Sequence, residues 1–274
     1  NIDGHQWALA LDAATQVSCY RSDLITSLPK NWDDLFQLAQ NKRVIWPLKP
    51  VHAISSFYSI YNNITEEFEP NDKNFIQRDS GVKVLEMMKQ ISQYLPSECF
   101  DMDPIKTAEI LSEHNDFFYS PYTYGFSNYS RIGYRKNLLT YENVIDLSGK
   151  GPHGTHLGGT GIAISNKSKN KDLALEYSYW IAGSECQQTI FYTNGGQPGN
   201  SDAWENTTIN SETNNFFKNT RITLDQAWVR PRHNGYMKFQ DESGNIINEY
   251  LQLNVNEIHV IDKLKLMYAE SFEE

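Results

Sequence analysis

The sequence predicts an α/β protein, because short β-prone runs alternate with amphipathic helical segments and no internal repeat, low-complexity tract or long apolar stretch breaks the alternation. At 274 residues the chain is long enough for one large domain or two lobes.

Residues 6–20 (QWALALDAATQVSCY) read as two extended runs broken by polar Asp12, Thr15 and Gln16. A helix opens in LPKNWDDLFQLAQ: Asn31 is an N-cap, Asp33 and Asp34 suit the positive helix end, and Trp32, Leu35, Phe36 and Leu38 form an apolar face. Arg43–Trp46 reads as a short strand stopped by Pro47, and His52–Tyr61 as a buried helix with Ile54, Phe57, Tyr58 and Tyr61 at helical spacing. Asn71–Lys73 reads as a turn. From Ser80 a helix carries Val82, Leu85, Met88 and Ile91, and Pro104 sits in the first turn of the next. Phe117–Tyr119 is expected to be a buried strand running into an aromatic loop, PYTYGFSNYSR. The stretch from Gly149 to Gly161 holds six glycines, which suits tight turns and close backbone approach. Ile162–Ile164 then reads as a strand, and Asn170–Ile181 as a helix closed by Gly183, with Leu173, Ala174, Tyr177 and Ile181 on one side. Loops are expected at Gly195–Gly199 and Arg230–Gly235, and a last helix from about Asn256.

Composition excludes several functions. Twenty-four Lys and Arg against 34 Asp and Glu leave a formal net charge of −10, and no basic run exceeds two residues, so nothing suits a phosphate backbone. No segment approaches the roughly 20 apolar residues of a membrane span. The first residue is not Met and no basic or apolar leader follows it, so a mature protein and a fragment are both expected possibilities. Cys19, Cys99 and Cys186 lack zinc-ligand spacing; three buried free thiols are expected over one disulfide plus a thiol, and the compartment stays open.

Among candidate chemistries, His153–His156 (HGTH) has metal-binding residue types, but two histidines in a glycine-rich loop without a fixed backbone are weak evidence, and no metal or cofactor is expected. Gly158–Gly161 (GGTG) lacks dinucleotide and P-loop spacing; backbone N–H groups facing a ligand and an ordinary turn both remain open. No GxSxG elbow occurs. The carboxylates would permit a glycosidase pair, although solvation on helix faces and in turns accounts for most of them. Two aromatic-polar constellations stand out: Tyr122 with Tyr124, and WVRPRHNGY with Trp228, Arg230, Arg232 and Tyr236. Aromatic planes suit the C–H faces of sugars, and arginine forks suit hydroxyl or carboxylate oxygens. Each also reads as a loop held by packing and salt bridges.

WALALDAATQVSCYRSDL, LPKNWDDLFQLA, FFYSPYTYGFSNYS and LGGTGIAISNKSKNKDLALEYSYWIAGSECQ occur in an order that resembles the family 1 solute-binding proteins of ABC transporters, relatives of maltose- and oligosaccharide-binding proteins. Asn31 stands where the family commonly has Thr, and either residue can cap a helix. The resemblance implies a periplasmic binding protein-like II fold of two α/β lobes with a hinge, the first lobe incomplete here because the hinge-like segment begins near residue 7. It implies lobe one at 1–12 and 155–193, lobe two at 13–154 and 194–274, and hinge crossings near 10–16, 150–158 and 193–198.

What the resemblance implies for the site is a solute cleft between the lobes. Asp12, Thr15 and Gln16 would lie at the hinge, Tyr122 and Tyr124 on a stacking loop, and Gly159 and Thr160 on the opposite lobe. Gly196 and Gln197 would follow the returning helix, Trp228, Arg230 and Arg232 would sit on a lobe-two loop, and Trp46 is a further candidate. A neutral mono- or oligosaccharide is the first expectation, and the two arginines leave a sugar acid open. The expected partner is a membrane permease, the expected state a monomer outside the cytoplasm with lipid anchoring open, and no catalysis is expected. A carbohydrate-active hydrolase and a repurposed scaffold without a transport role are the alternatives.

Overall fold

The computed structural model describes residues 4–65 and 77–273, so the turn expected at Asn71–Lys73 lies outside the described residues. In chain order the elements are β1 (Leu9–Tyr20), α1 (Trp32–Gln40), α2 (Pro50–Thr65), α3 (Arg78–Ser92), α4 (Pro104–Glu113), β2 (Tyr119–Tyr124), β3 (Thr140–Glu142), β4 (Leu157–Ile162), α5 (Lys171–Ala182), α6 (Ser184–Cys186), α7 (Ser201–Glu205), α8 (Thr207–Glu212), α9 (Phe216–Asp225), α10 (Tyr236–Gln252) and α11 (Glu257–Glu270).

β1 organises the molecule, and it is one strand of 12 residues rather than two runs. Its partners change along its length, so the polar residues at its middle do not end it. The first part pairs antiparallel with β4, from Leu9 opposite Ile162 to Thr15 opposite Leu157. The second part lies between β2 and β3, with Gln16 opposite Tyr124 and Cys19 opposite Tyr141. Register shifts between Ala10 and Asp12 and between Val17 and Cys19 accompany the changeover.

Three strand expectations need correction. β2 continues to Tyr124, so Tyr122 and Tyr124 belong to a strand, not a loop; Pro121 is tolerated because β2 is an edge strand. β4 is the glycine segment itself and ends at Ile162, where the strand was expected to begin. Gly159 has φ +131°, and a Cβ there would stand 2.5 Å from the Asp12 carbonyl oxygen, so the β1–β4 ladder requires glycine at this position. Arg43–Trp46 forms only an isolated bridge, Val44 to Tyr119.

Two buried clusters flank the β2–β1–β3 sheet. One joins α1, α2, α3, α10 and α11 around Trp46, Phe57, Leu85 and Leu264, and takes Tyr119 and Tyr122 from β2. The other gathers Val17, Cys19, Leu111, Tyr141, Trp204 and Phe217. α10 was not read from the sequence; Gly244 in its middle lowers helix propensity, yet a Cβ there would meet the Pro50 carbonyl at 2.6 Å, so the glycine lets α10 cross close over α2. The helices α7, α8 and α9 were likewise unread, each being 10 residues or shorter.

Local signals behave as their chemistry predicts. Asn31 Oδ1 accepts from the Asp34 N–H at 2.9 Å and Asn256 Oδ1 from His259 N–H at 3.2 Å, capping α1 and α11. In the YRSDL stretch after β1, buried Arg21 makes a bidentate pair with Asp23, both contacts 2.7 Å, and donates to the carbonyls of Leu111 and His114. The three cysteines are free and buried. Among the described residues no helix is long and apolar enough to cross a membrane.

α5 departs from expectation. Only Ser178 is buried along it, while Leu173 is 65% exposed and Tyr177 49% exposed on the side expected to face a core. The sheet beneath it is the β1–β4 ladder, two strands wide among the described residues, too narrow to cover the apolar face of a helix of this length.

Candidate functional site

The site forms where β1 changes partners. α2 is apolar and buried, but His52, Ser55, Ser56, Ser59, Asn62 and Asn63 make a polar stripe at helical spacing along one side. That stripe bonds the crossing segment before β4. Ser59 Oγ receives the His156 N–H at 3.0 Å and donates to Gln16 Oε1 at 2.6 Å. Gln16 Nε2 donates to Ser56 Oγ at 3.0 Å, and Asn62 and Asn63 donate to the carbonyls of Gly154 and His153. Thr15 Oγ1 donates to the His156 carbonyl at 3.1 Å and lies 2.7 Å from Thr155 Oγ1.

The segment 226–228 then lies along the same crossing. Gly154 N–H donates to Gln226 C=O, Trp228 N–H to Thr155 C=O and Leu157 N–H to Trp228 C=O, at 2.7–2.9 Å. This ladder sets Trp228 against His156, ring centroids 5.8 Å apart, and against Tyr58 at 5.1 Å. From β2, Tyr124 Oη reaches His156 Nδ1 at 2.9 Å, and Ser55 Oγ reaches the same nitrogen at 3.0 Å. The His52 ring stands edge-on to Tyr124 at 6.1 Å. Gly158 permits this, since a Cβ there would come 2.7 Å from the Tyr124 ring.

The electrostatics follow from burial. The His156 imidazole is pushed down to about 3, first by desolvation and then by the positive fields of Arg230 and His52. His52 is lowered to about 4 by desolvation, with Asp103 opposing and Lys49 assisting. Both rings are neutral near pH 7. His156 Nε2 and His52 Nδ1 are buried without a hydrogen-bond partner among the described residues. Asp12, on the β1–β4 ladder, is raised to about 6 by desolvation, and its Oδ1 is likewise unpartnered. Arg230 is half-buried and bonds Gln240 Oε1 at 3.1 Å.

The expected residues divide in two. Tyr124, Trp228 and Arg230 gather with His156, and Asp12 lies three residues before Thr15, about 10 Å along the strand at ~3.3 Å per residue. Thr15 and Gln16 are buried, their side chains bonded inward. Trp46 and Tyr122 have no exposed surface; Trp46 Nε1 donates to Ser56 Oγ, and the two rings pack at 5.8 Å. Gln197 is a clamp: Nε2 donates to the carbonyls of Ala13 and Gly125, each at 3.2 Å, and Oε1 accepts from Ser127 N–H at 2.8 Å. Gly196 closes a turn against Phe191, and Gly159, Thr160 and Arg232 are exposed. Sequence reasoning missed His52 and Ser55, and weighed His156 only as a metal ligand. Among the described residues no group of three metal-ligating side chains forms. The signal for His52 and Ser55 was present: a polar stripe at i, i+3, i+4, i+7 on an otherwise apolar helix.

A long strand shared by two sheet regions, with polar aromatic groups collected at the changeover, defines the class of hinged, periplasmic-binding-protein-like folds. The chain belongs to the bacterial extracellular solute-binding protein family, whose model matches residues 1–217. It thus is a solute-binding protein of a family that works outside the cytoplasm, as the four ordered landmarks implied. No curated protein sequence matches it. Solved structures share the fold at low identity. A T. maritima MalE3 bound to maltose is 14% identical, with TM-score 0.83 over 98% of this chain and 73% of that one. An ABC transporter solute-binding protein of Agrobacterium radiobacter K84 in complex with ribitol is 18% identical, with TM-score 0.81 over 100% and 72%. One from Agrobacterium vitis S4 with D-mannitol is 13% identical, with TM-score 0.77 over 100% and 74%.

Proposed function

We propose that this protein captures a polyhydroxylated small solute, a sugar, sugar alcohol or sugar acid, at the face formed by Asp12, His52, Tyr124, His156, Trp228 and Arg230, and hands it to an ABC permease. The observation that carries the reading is the convergence of half-buried aromatic rings and unpartnered polar atoms at the partner change of β1. Aromatic faces accept sugar C–H surfaces, and buried polar atoms that lack partners select hydroxyls at fixed positions. The maltose, ribitol and mannitol bound by proteins of the same fold support this class. Lobe one is assigned to 1–12 and 155–193 and lobe two to the remainder, with closure about the crossings excluding water. The solute is released unchanged, and the protein works as a monomer.

A thermal-shift screen of the chain against sugars, sugar alcohols, sugar acids and amino acids tests the reading. A ligand at about a hundredfold excess over its Kd stabilises the native state by about 2.7 kcal/mol, several degrees in Tm. Shifts confined to sugars, sugar alcohols and sugar acids are expected. Shifts with amino acids alone, or with nothing, refute the assignment.

A further inference from the structure

We infer that the Tyr124–His156–Arg230 end of this face is a carboxylate subsite, and that the solute is a polyhydroxylated acid, a uronate or an aldonate, rather than a neutral sugar. The inference rests on the sugar-class reading above and narrows it.

The arginines supply the first argument. Arg21, Arg78, Arg135 and Arg221 each pair with a carboxylate of the chain at 2.6–2.7 Å. Arg43 and Arg131 lack a carboxylate too, but they donate to the Asp116 and Tyr192 carbonyls and lie over the Phe118 and Tyr192 rings, whereas Arg230 has no carboxylate, carbonyl or ring partner among the described residues, although carboxylates outnumber cations 34 to 24. Its one side-chain bond, to the neutral amide of Gln240, leaves the guanidinium charge uncompensated and most of its five donors free for a ligand. A half-buried, uncompensated guanidinium is a ready partner for an oxyanion.

His156 supplies the second. Its side chain is more than nine-tenths buried, and Nε2 has no partner among the described residues. Nδ1 is engaged by Tyr124 and Ser55. When Tyr124 donates to Nδ1, Nε2 carries the ring proton and becomes a directed donor. The Arg230 guanidinium acts on His156 as a positive neighbour, so the local potential favours an anion within a chain of net charge −10. At the other end of the face, Asp12 offers only an acceptor and suits hydroxyl donors. A solute with a carboxylate at one end and hydroxyls at the other satisfies both ends, whereas a neutral sugar leaves the Arg230 charge unmatched.

Isothermal titration of the chain at pH 7.5 with matched pairs (glucose and glucuronate, galactose and galacturonate, mannose and mannonate), and with hydroxyl-free succinate, tests this. A charge-assisted bond of about 1.5–3 kcal/mol predicts that an acid binds at least about tenfold tighter than its neutral partner. Arg230→Gln is expected to weaken the acid at least about tenfold more than the neutral partner, with folding checked by circular dichroism. Neutral partners binding as tightly as the acids, or an unchanged preference in Arg230→Gln, overturn the carboxylate subsite and leave the sugar reading standing. Succinate binding as tightly as the acids supports the subsite and overturns the sugar reading. Failure of every compound to bind overturns both.

Discussion

Lowering the pH from 7 to 5 destabilises this protein through its two buried histidines. An unfolded histidine takes its proton near 6.5, while His156 and His52 in the native state take theirs only near 3 and near 4. Between those values the unfolded chain binds protons that the native chain does not. Stability is therefore complete above about pH 7 and is lost as pH falls through 6.5 toward 4 and 3. By pH 5 each histidine contributes a loss of about 2 kcal/mol. Asp12 acts in the opposite direction: native pKa about 6 against 3.8 unfolded means that it stabilises the fold as pH falls, by about 1 kcal/mol after discounting its solvent exposure. Glu142, raised by burial, works with it. Asp23, Glu109 and Asp146 are held below the usual carboxylate range, so their losses come at lower pH. The net expectation is a fall of about 3 kcal/mol between pH 7 and pH 5, read from urea unfolding midpoints at constant m. His156→Asn lowers stability at pH 7 by removing its hydrogen bonds, but its slope with pH flattens by about 2 kcal/mol over the same interval. A variant slope equal to that of the parent would refute the linkage, whatever its absolute stability.

Gln197→Ala removes three hydrogen bonds joining β1, the turn after β2 and the segment before α7, and strands the Ser127 N–H. At about 1 kcal/mol each it costs about 3 kcal/mol in urea unfolding, and a cost under 1 kcal/mol contradicts the clamp. Gly159→Ala adds a Cβ 2.5 Å from the Asp12 carbonyl oxygen at φ +131°, and costs at least about 2 kcal/mol. Gly133→Ala, at φ +84° with nothing within 4 Å, costs about half as much. Equal Tm losses in the two variants would show that the β1–β4 approach is not tight.

The parts of the fold legible in the sequence were those set by short-range chemistry. Asn31 before an acidic first turn, Pro104 at a helix start and Gly183 at a helix end each act within a few residues, and the four family landmarks are of this kind. What escaped reading depends on partners far away in sequence. The break expected in β1 rested on the polarity of Thr15 and Gln16, which is answered by Thr155, Ser56 and Ser59. β4 looked like a turn because its glycines serve the backbone of β1, more than 140 residues earlier. Tyr122 and Trp46 were read as solute-facing because aromatic residues in Pro-rich surroundings resemble loop residues. Their burial depends on α2, whose apolar positions do not say which residues they cover. The polar stripe on α2 was the one long-range feature written locally, and it points at the site.

That stripe also ties residues without solute-facing surface to the proposed binding face. His156 is held on four sides: Nδ1 by Tyr124 and Ser55, its N–H by Ser59, and its carbonyl by Thr15. Ser59 is itself held by Gln16, and Gln16 by Ser56, which also takes the Trp46 indole N–H. A solute that met Nε2, as proposed, would find a ring whose rotamer is already fixed, and the ordering cost that commonly subtracts from affinity would have been met in folding. Loosening any of Thr15, Gln16 or Ser59 lets the imidazole move without touching the solute. In the proposed site, loss of affinity from such a change would therefore measure positioning, whereas loss at Arg230 would measure contact. Three of the residues first expected at the ligand, Thr15, Gln16 and Trp46, lie beneath the proposed site with their side chains bonded inward, and their polarity is needed there because the crossing of β1 is buried and its donors must be answered, for Thr15 by Thr155 and His156 and for Gln16 by Ser56 of α2.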